Sequence, residues 1–133
     1  MPKKSVKRAA KKTATSPVKF KQALERTEEI VLTVTEREFS GRTSSRPVWF
    51  VTRGRRLYLL PVKGSDSKWY RHVLETPTVT LTAKGQKWTA RATPITDPAK
   101  VHEVVEMFRA KYGADDVKKY YSKLDVAVSI PLP

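Results

Sequence analysis

Ile30, Leu32 and Val34 alternate with Val31, Thr33 and Thr35, and a period of two is the mark of a strand that turns one row inward. The same period returns at 79–83, where Val79, Leu81 and Ala83 alternate with threonines, and at 87–92 with Trp88, Ala90 and Ala92. Lys84-Gly85 turns the chain between these two, so they predict a hairpin with one wet face. The segments 46–52 and 56–62 differ in having apolar residues on both faces, which requires cover on both sides. Arg53-Gly54 links them as a second hairpin, and a sixth strand is predicted over 125–130.

Helical spacing appears between the strands. Phe20, Ala23 and Leu24 predict a short helix within 18–29. Ser67 is placed to cap a helix running to about Glu75, and Pro77 bars its continuation. Asp97-Pro98 is a strong helix start, an acidic cap before a proline whose missing donor costs nothing there. Val101, Val104, Val105, Phe108 and Tyr112 form the buried stripe of that helix, and Gly113 ends it. A further helix carries Val117, Tyr120, Tyr121 and Leu124. Six strands in mostly antiparallel order with short helices between them predict a mainly β domain, a closed or split six-stranded barrel, since closure removes exposed strand edges. An open sheet with helices on one face is the alternative.

Charge divides the chain. Of the 27 basic residues, eight precede the first acid, Glu25, which leaves 19 to set against all 13 acids. Residues 1–17 are built mainly from Lys, Arg, Ala, Ser, Thr and Pro and cannot bury enough surface to offset their ordering entropy, so they are expected to be a disordered basic tail before a domain at 18–133. Such a tail suits non-specific contact with nucleic-acid phosphates, or serves only solubility. The absence of cysteine excludes disulfides and thiolate chemistry, and no apolar run approaches the roughly 20 residues of a membrane span. A cytoplasmic protein without membrane association is the expectation.

The chemistry-bearing segment is Lys63-Gly-Ser-Asp-Ser-Lys-Trp-Tyr70, a basic loop opening a helix. Lys63, Ser65, Ser67 and Lys68 together with backbone amides are suited to a phosphate, or make an ordinary basic surface loop. Trp49 and Trp69 can flank a planar ring or pack in the core; Trp88, in a cleanly alternating strand, reads as core. Helical spacing favours packing for Tyr112, Tyr120 and Tyr121. His72 and His102 are too far apart to suggest a metal site, and Asp115 and Asp116 begin a helix, where acids favour its dipole.

The order and spacing of several segments resemble a family. These are Thr33-Val-Thr-Glu-Arg-Glu-Phe-Ser-Gly-Arg42, Arg46-Pro-Val-Trp-Phe-Val51, Lys63-Gly64, Trp69-Tyr70 and the stretch from Leu74 through Pro77 to Val79. The pattern is similar to the split-barrel flavin-binding proteins related to pyridoxamine phosphate oxidases, especially their deazaflavin-dependent nitroreductase-like branch. A small uncharacterised group beside it, with a Trp-Tyr loop and an Ala-Lys-Tyr helix end, resembles the chain still more closely. The resemblance implies a six-stranded split β-barrel of the FMN-binding type, a homodimer, and FMN or a deazaflavin coenzyme as cofactor. It implies cofactor contacts at Arg42, Arg46, Pro47, Val48, Trp49, Lys63, Gly64, Ser65, Lys68 and Trp69. The activity it implies is reduction of a small electron acceptor, a quinone or nitro compound, by cofactor hydride transfer. Glu36 and His72 depart from the deazaflavin branch, which leaves the cofactor open. Two other readings stand beside it: a basic-tailed nucleic-acid-binding barrel, and a member of the fold that binds a ligand without turnover.

Overall fold

The computed structural model describes residues 17–36 and 41–133. The expected basic tail therefore lies outside the described residues except for Pro17, which opens helix α1 (Pro17–Leu24). The elements that follow are β1 (Glu29–Thr35), β2 (Thr43–Trp49), β3 (Val51–Arg53), β4 (Arg56–Leu59), a 3-10 turn (Gly64–Asp66), α2 (Lys68–Glu75), β5 (Thr78–Ala83) and β6 (Gln86–Arg91). The chain closes with β7 (Thr93–Ile95), α3 (Pro98–Tyr112), α4 (Ala114–Tyr120) and β8 (Ala127–Pro131).

Eight strand segments form two antiparallel four-stranded sheets, β2-β1-β5-β6 and β3-β4-β8-β7, where the sequence pattern predicts six strands. One predicted strand that changes sheet partway and one short strand beyond the expected segments account for the difference. The segment expected at 46–52 breaks at Phe50: β2 pairs with β1, with Trp49 opposite Glu29, while β3 pairs with β4, with Val51 opposite Tyr58. The segment expected at 87–92 leaves the first sheet at Ala92, whose amide bonds the Pro77 carbonyl (2.8 Å), and the unpredicted β7 beyond it joins β8.

The inner face of the first sheet (Ile30, Leu32, Val34, Val79, Leu81, Ala83) packs with Phe20 and Leu24 of α1, Trp69, Tyr70 and Val73 of α2, and Leu57, Leu59, Val128 and Ile130 of the second sheet. The other side of the second sheet meets α3 and α4 through Val51, Leu60, Val101, Val104, Val105, Phe108, Val117 and Ala127. The second sheet is thus covered on both faces, as its doubly apolar strands require. The first sheet keeps a polar outer face, on which Thr33 bonds Ser45 (2.7 Å) and Thr80 bonds Thr89 (2.8 Å).

Helix α3 starts as its sequence predicts, with the Asp97 carboxylate accepting from the Lys100 amide (3.2 Å) and Pro98 in the first turn. Ser67 departs from expectation. It makes no side-chain cap bond to α2; its buried Oγ accepts the Lys63 amide instead (2.9 Å). Helix α4 stops at Tyr120, short of the expected Leu124, because the chain turns at Tyr121 to run beside the 62–66 loop.

Candidate functional site

The break at Phe50 sends consecutive side chains in opposite directions. Trp49 faces a cavity of about 660 Å³, whereas Phe50 is buried in the first core and borders a different concavity. Backbone groups at such a break lose ladder partners and must find others. At Phe50 the side chains at the end of α3 supply them. Tyr112 Oη accepts the Phe50 amide (3.1 Å) and lies 3.0 Å from the Phe50 carbonyl, which also accepts from Lys111 Nζ (2.7 Å). The same hydroxyl reaches the Glu28 carbonyl (2.6 Å), so one phenol ties together the end of α3, the start of β1 and the β2–β3 junction.

The cavity is walled by the 46–49 end of β2, by Leu60, Val62 and Lys63 after β4, by Asp66 to Trp69, and by Tyr120 and Tyr121, with Glu29 at its border. Seven of the ten residues predicted for cofactor contact therefore come together here: Arg46, Pro47, Val48, Trp49, Lys63, Lys68 and Trp69. Arg42, Gly64 and Ser65 do not line it. Arg42 lies 4.0 Å from Glu36. Gly64 is buried behind the wall with a positive φ of 55°. Ser65 already holds an anion, since its amide and its hydroxyl donate to the two carboxylate oxygens of Asp125 (2.9 and 2.6 Å).

Rings make up much of the apolar wall. Trp49 stacks on Tyr112 (centroids 4.3 Å apart, 7° between planes) and meets Tyr120 edge-on (5.6 Å, 83°). Trp69 serves both as wall and as core, at 5 % exposure. Trp88 packs against the core as predicted and donates its indole N–H to the Pro131 carbonyl (2.8 Å). Tyr120 and Tyr121, whose helical spacing favours packing, both face the cavity, although Tyr121 also packs in the second core. Periodicity could not separate these roles, since a tyrosine at a helix end satisfies the same spacing either way.

Burial raises the Tyr121 phenol far above its ordinary value and pushes Tyr112 up to about 12, with Glu28 and Glu29 adding to the latter. Both remain neutral hydroxyls at physiological pH.

The wall carries three cations and two acids. Asp66 is already balanced by Lys123 (3.2 Å) and Arg71 (3.4 Å), whereas Lys63 and Lys68 form no ion pair among the described residues. Arg46 donates one guanidinium N–H to Ser44 Oγ (2.6 Å), but its Nε is buried without a partner. A buried unpartnered donor is costly, and an anion would satisfy it. The size, the aromatic wall and the uncompensated cations fit an elongated ligand with a planar ring at one end and an anionic group at the other. The larger concavity, about 930 Å³ and bordered by Lys21, Glu25, Arg26, Glu28, Arg53 and Lys111, fits such a ligand less well. Its one ring, Phe50, is covered by the Lys111 ammonium at 3.6 Å.

A comparison with curated proteins found no match. Among solved structures, a pyridoxamine 5'-phosphate oxidase-like protein of Listeria innocua aligns with a TM-score of 0.64 at 16 % identity, over 87 % of this chain and 92 % of its own. The haem storage protein HutZ of Vibrio cholerae gives 0.65 at 14 % identity (87 % and 88 %), and the F420-H2 dependent reductase FDR-A gives 0.57 at 20 % (76 % and 92 %). These likenesses establish the split-barrel fold of the pyridoxamine phosphate oxidase-like proteins. A family model spans residues 21–128, from within α1 into β8 and across every cavity-lining residue, and the chain accordingly belongs to the family of uncharacterized proteins conserved in bacteria designated DUF2255.

Proposed function

We propose that the 660 Å³ cavity binds a flavin-type cofactor, FMN or a deazaflavin, and that the chain is an oxidoreductase reducing a small quinone- or nitro-type acceptor as a homodimer. The observation that carries this reading is the meeting of Arg46, Lys63 and Lys68 with the Trp49 wall in one cavity. Arg46, with its unpartnered Nε, and the two lysines would hold the phosphate, while Pro47, Val48 and Trp49 would lie along the ring. Such a cofactor supplies hydride chemistry when bound. The protein's own work is to bind, to cover the ring and to admit the acceptor, which accords with the absence of a catalytic dyad in this wall. The likeness to FDR-A supports the reductase reading, and the likeness to HutZ supports a second one, binding without turnover.

The test is the absorbance spectrum of the purified protein after incubation with FMN or with deazaflavin coenzyme and dialysis, followed by titration of Lys63→Ala. A band retained for one cofactor is expected, with affinity lowered by about 1–3 kcal/mol in the variant through loss of a charge-assisted contact. No retained band with either cofactor overturns the reading. A retained band without reduction of any quinone or nitro acceptor favours the non-catalytic one.

A further inference from the structure

We infer that Asp125 is a positioning residue for the phosphate end of the cavity, fixing the loop that carries Lys63 and Lys68 and thereby setting preference for a phosphorylated flavin over its dephosphorylated form. The inference rests on the proposed reading of the cavity. It differs from that reading in where the phosphate is held: by side chains on the cavity side of the loop, because the loop's own anion-binding groups face the other way and are occupied.

The 62–67 segment is attached along its length to 122–125. The Ser122 amide and hydroxyl both donate to the Val62 carbonyl (2.9 and 3.2 Å), and Lys63 and Lys123 form a parallel bridge. Ser65 closes on the Asp125 carboxylate through amide and hydroxyl. At Gly64 the two segments touch so closely that an added Cβ would lie 2.1 Å from Asp125 Oδ1. Lys123 reaches Asp125 (3.8 Å) and Asp66 (3.2 Å) together, so these carboxylates are paired with Lys123 rather than with Lys63 or Lys68. The Ser65 hydrogen bond holds the Asp125 carboxyl below its usual range, so the contact persists as an ionised one at any physiological pH. Without the carboxylate, the Ser65 amide loses its partner and the loop's main chain stays attached to 122–125 only at Val62 and Lys63, which frees the turn between Lys63 and Lys68 to shift relative to Arg46.

Flavin fluorescence quenching on the full chain, with FMN and with riboflavin, reads this directly. Asp125→Ala should weaken FMN by about tenfold or more while changing riboflavin less than about twofold, and Ser65→Ala should shift FMN the same way by less. Circular dichroism and thermal melts confirm that the variants fold; should Asp125→Ala fail to fold, Ser65→Ala, which keeps the carboxylate and the main chain, decides the matter. Unchanged FMN affinity, or equal losses for FMN and riboflavin, in the folded variants overturns the positioning role. Wild-type protein that retains neither FMN nor the deazaflavin coenzyme overturns the cavity reading itself, and this inference with it; where the deazaflavin alone is retained, that coenzyme and its phosphate-free core take the place of FMN and riboflavin in the same comparison.

Discussion

Gly64 sits at a positive φ of 55° with Asp125 Oδ1, the Lys123 carbonyl and the Lys123 side chain all within 3.0 Å of where a β-carbon would be. Gly64→Ala should therefore lower stability by more than the roughly 1–2 kcal/mol that left-handed backbone alone costs a residue with a β-carbon. An unchanged denaturant midpoint would show that the loop relaxes freely away from 123–125. The glycine was legible in the sequence as a loop residue, and Lys63, Lys68 and Arg46 as cations near it. What could not be read is the partner: Asp125 lies 60 residues away and reads locally as the first residue of a strand. Ser65 accordingly reads as a contact for a ligand, where the fold gives it a carboxylate from its own chain. Ser67 shows the same limit, since a serine before a helix reads as a cap whether or not its hydroxyl serves the preceding turn.

Elements were legible by period and boundary residues. Asp97-Pro98 and Gly113 mark the two ends of α3 correctly because caps are local chemistry. Strand breaks are not. The apolar run through Phe50 shows no change where pairing moves from one sheet to the other, and Thr93-Pro-Ile95 is too short and too irregular to read as a strand. The break at Phe50 is stabilised from the far end of α3. Tyr112→Phe keeps the stacking on Trp49 but removes the acceptor of the Phe50 amide, and should cost about 1–3 kcal/mol in chemical denaturation for a buried donor left unpaired. Equal midpoints for variant and wild type would mean that the junction draws its support from Lys111 alone.

Across the whole molecule, a chain of net charge +14 presents one sheet face with an uncharged centre. Ser45, Thr33, Thr80 and Thr89 form a row across the four strands of the first sheet, with Pro47, Val31 and Thr82 in the next row and the charges of Lys87 and Arg91 confined to the β6 margin. This face runs into the cavity border at Pro47 and Trp49, with Glu29 opposite Trp49, and is the surface we propose for the homodimer contact. Sedimentation should give twice the 15.1 kDa of one chain, and Thr80→Arg, which buries a charge between copies, should return the protein to that mass. A monomeric wild type, or a dimer indifferent to the substitution, would place any second copy elsewhere. Among the described residues no helix is long and apolar enough to cross a membrane.

Tyr112 grips Trp49 through its ring and Phe50 through its hydroxyl, so the floor of the cavity and the hinge between the two sheets are a single mechanical part. A ring too wide for the space cannot be accommodated by swinging one tryptophan aside. It would have to open the joint on which both sheets hang, so for the planar cofactor proposed here the limit on ring width is expected to come from the scaffold more than from side-chain rearrangement.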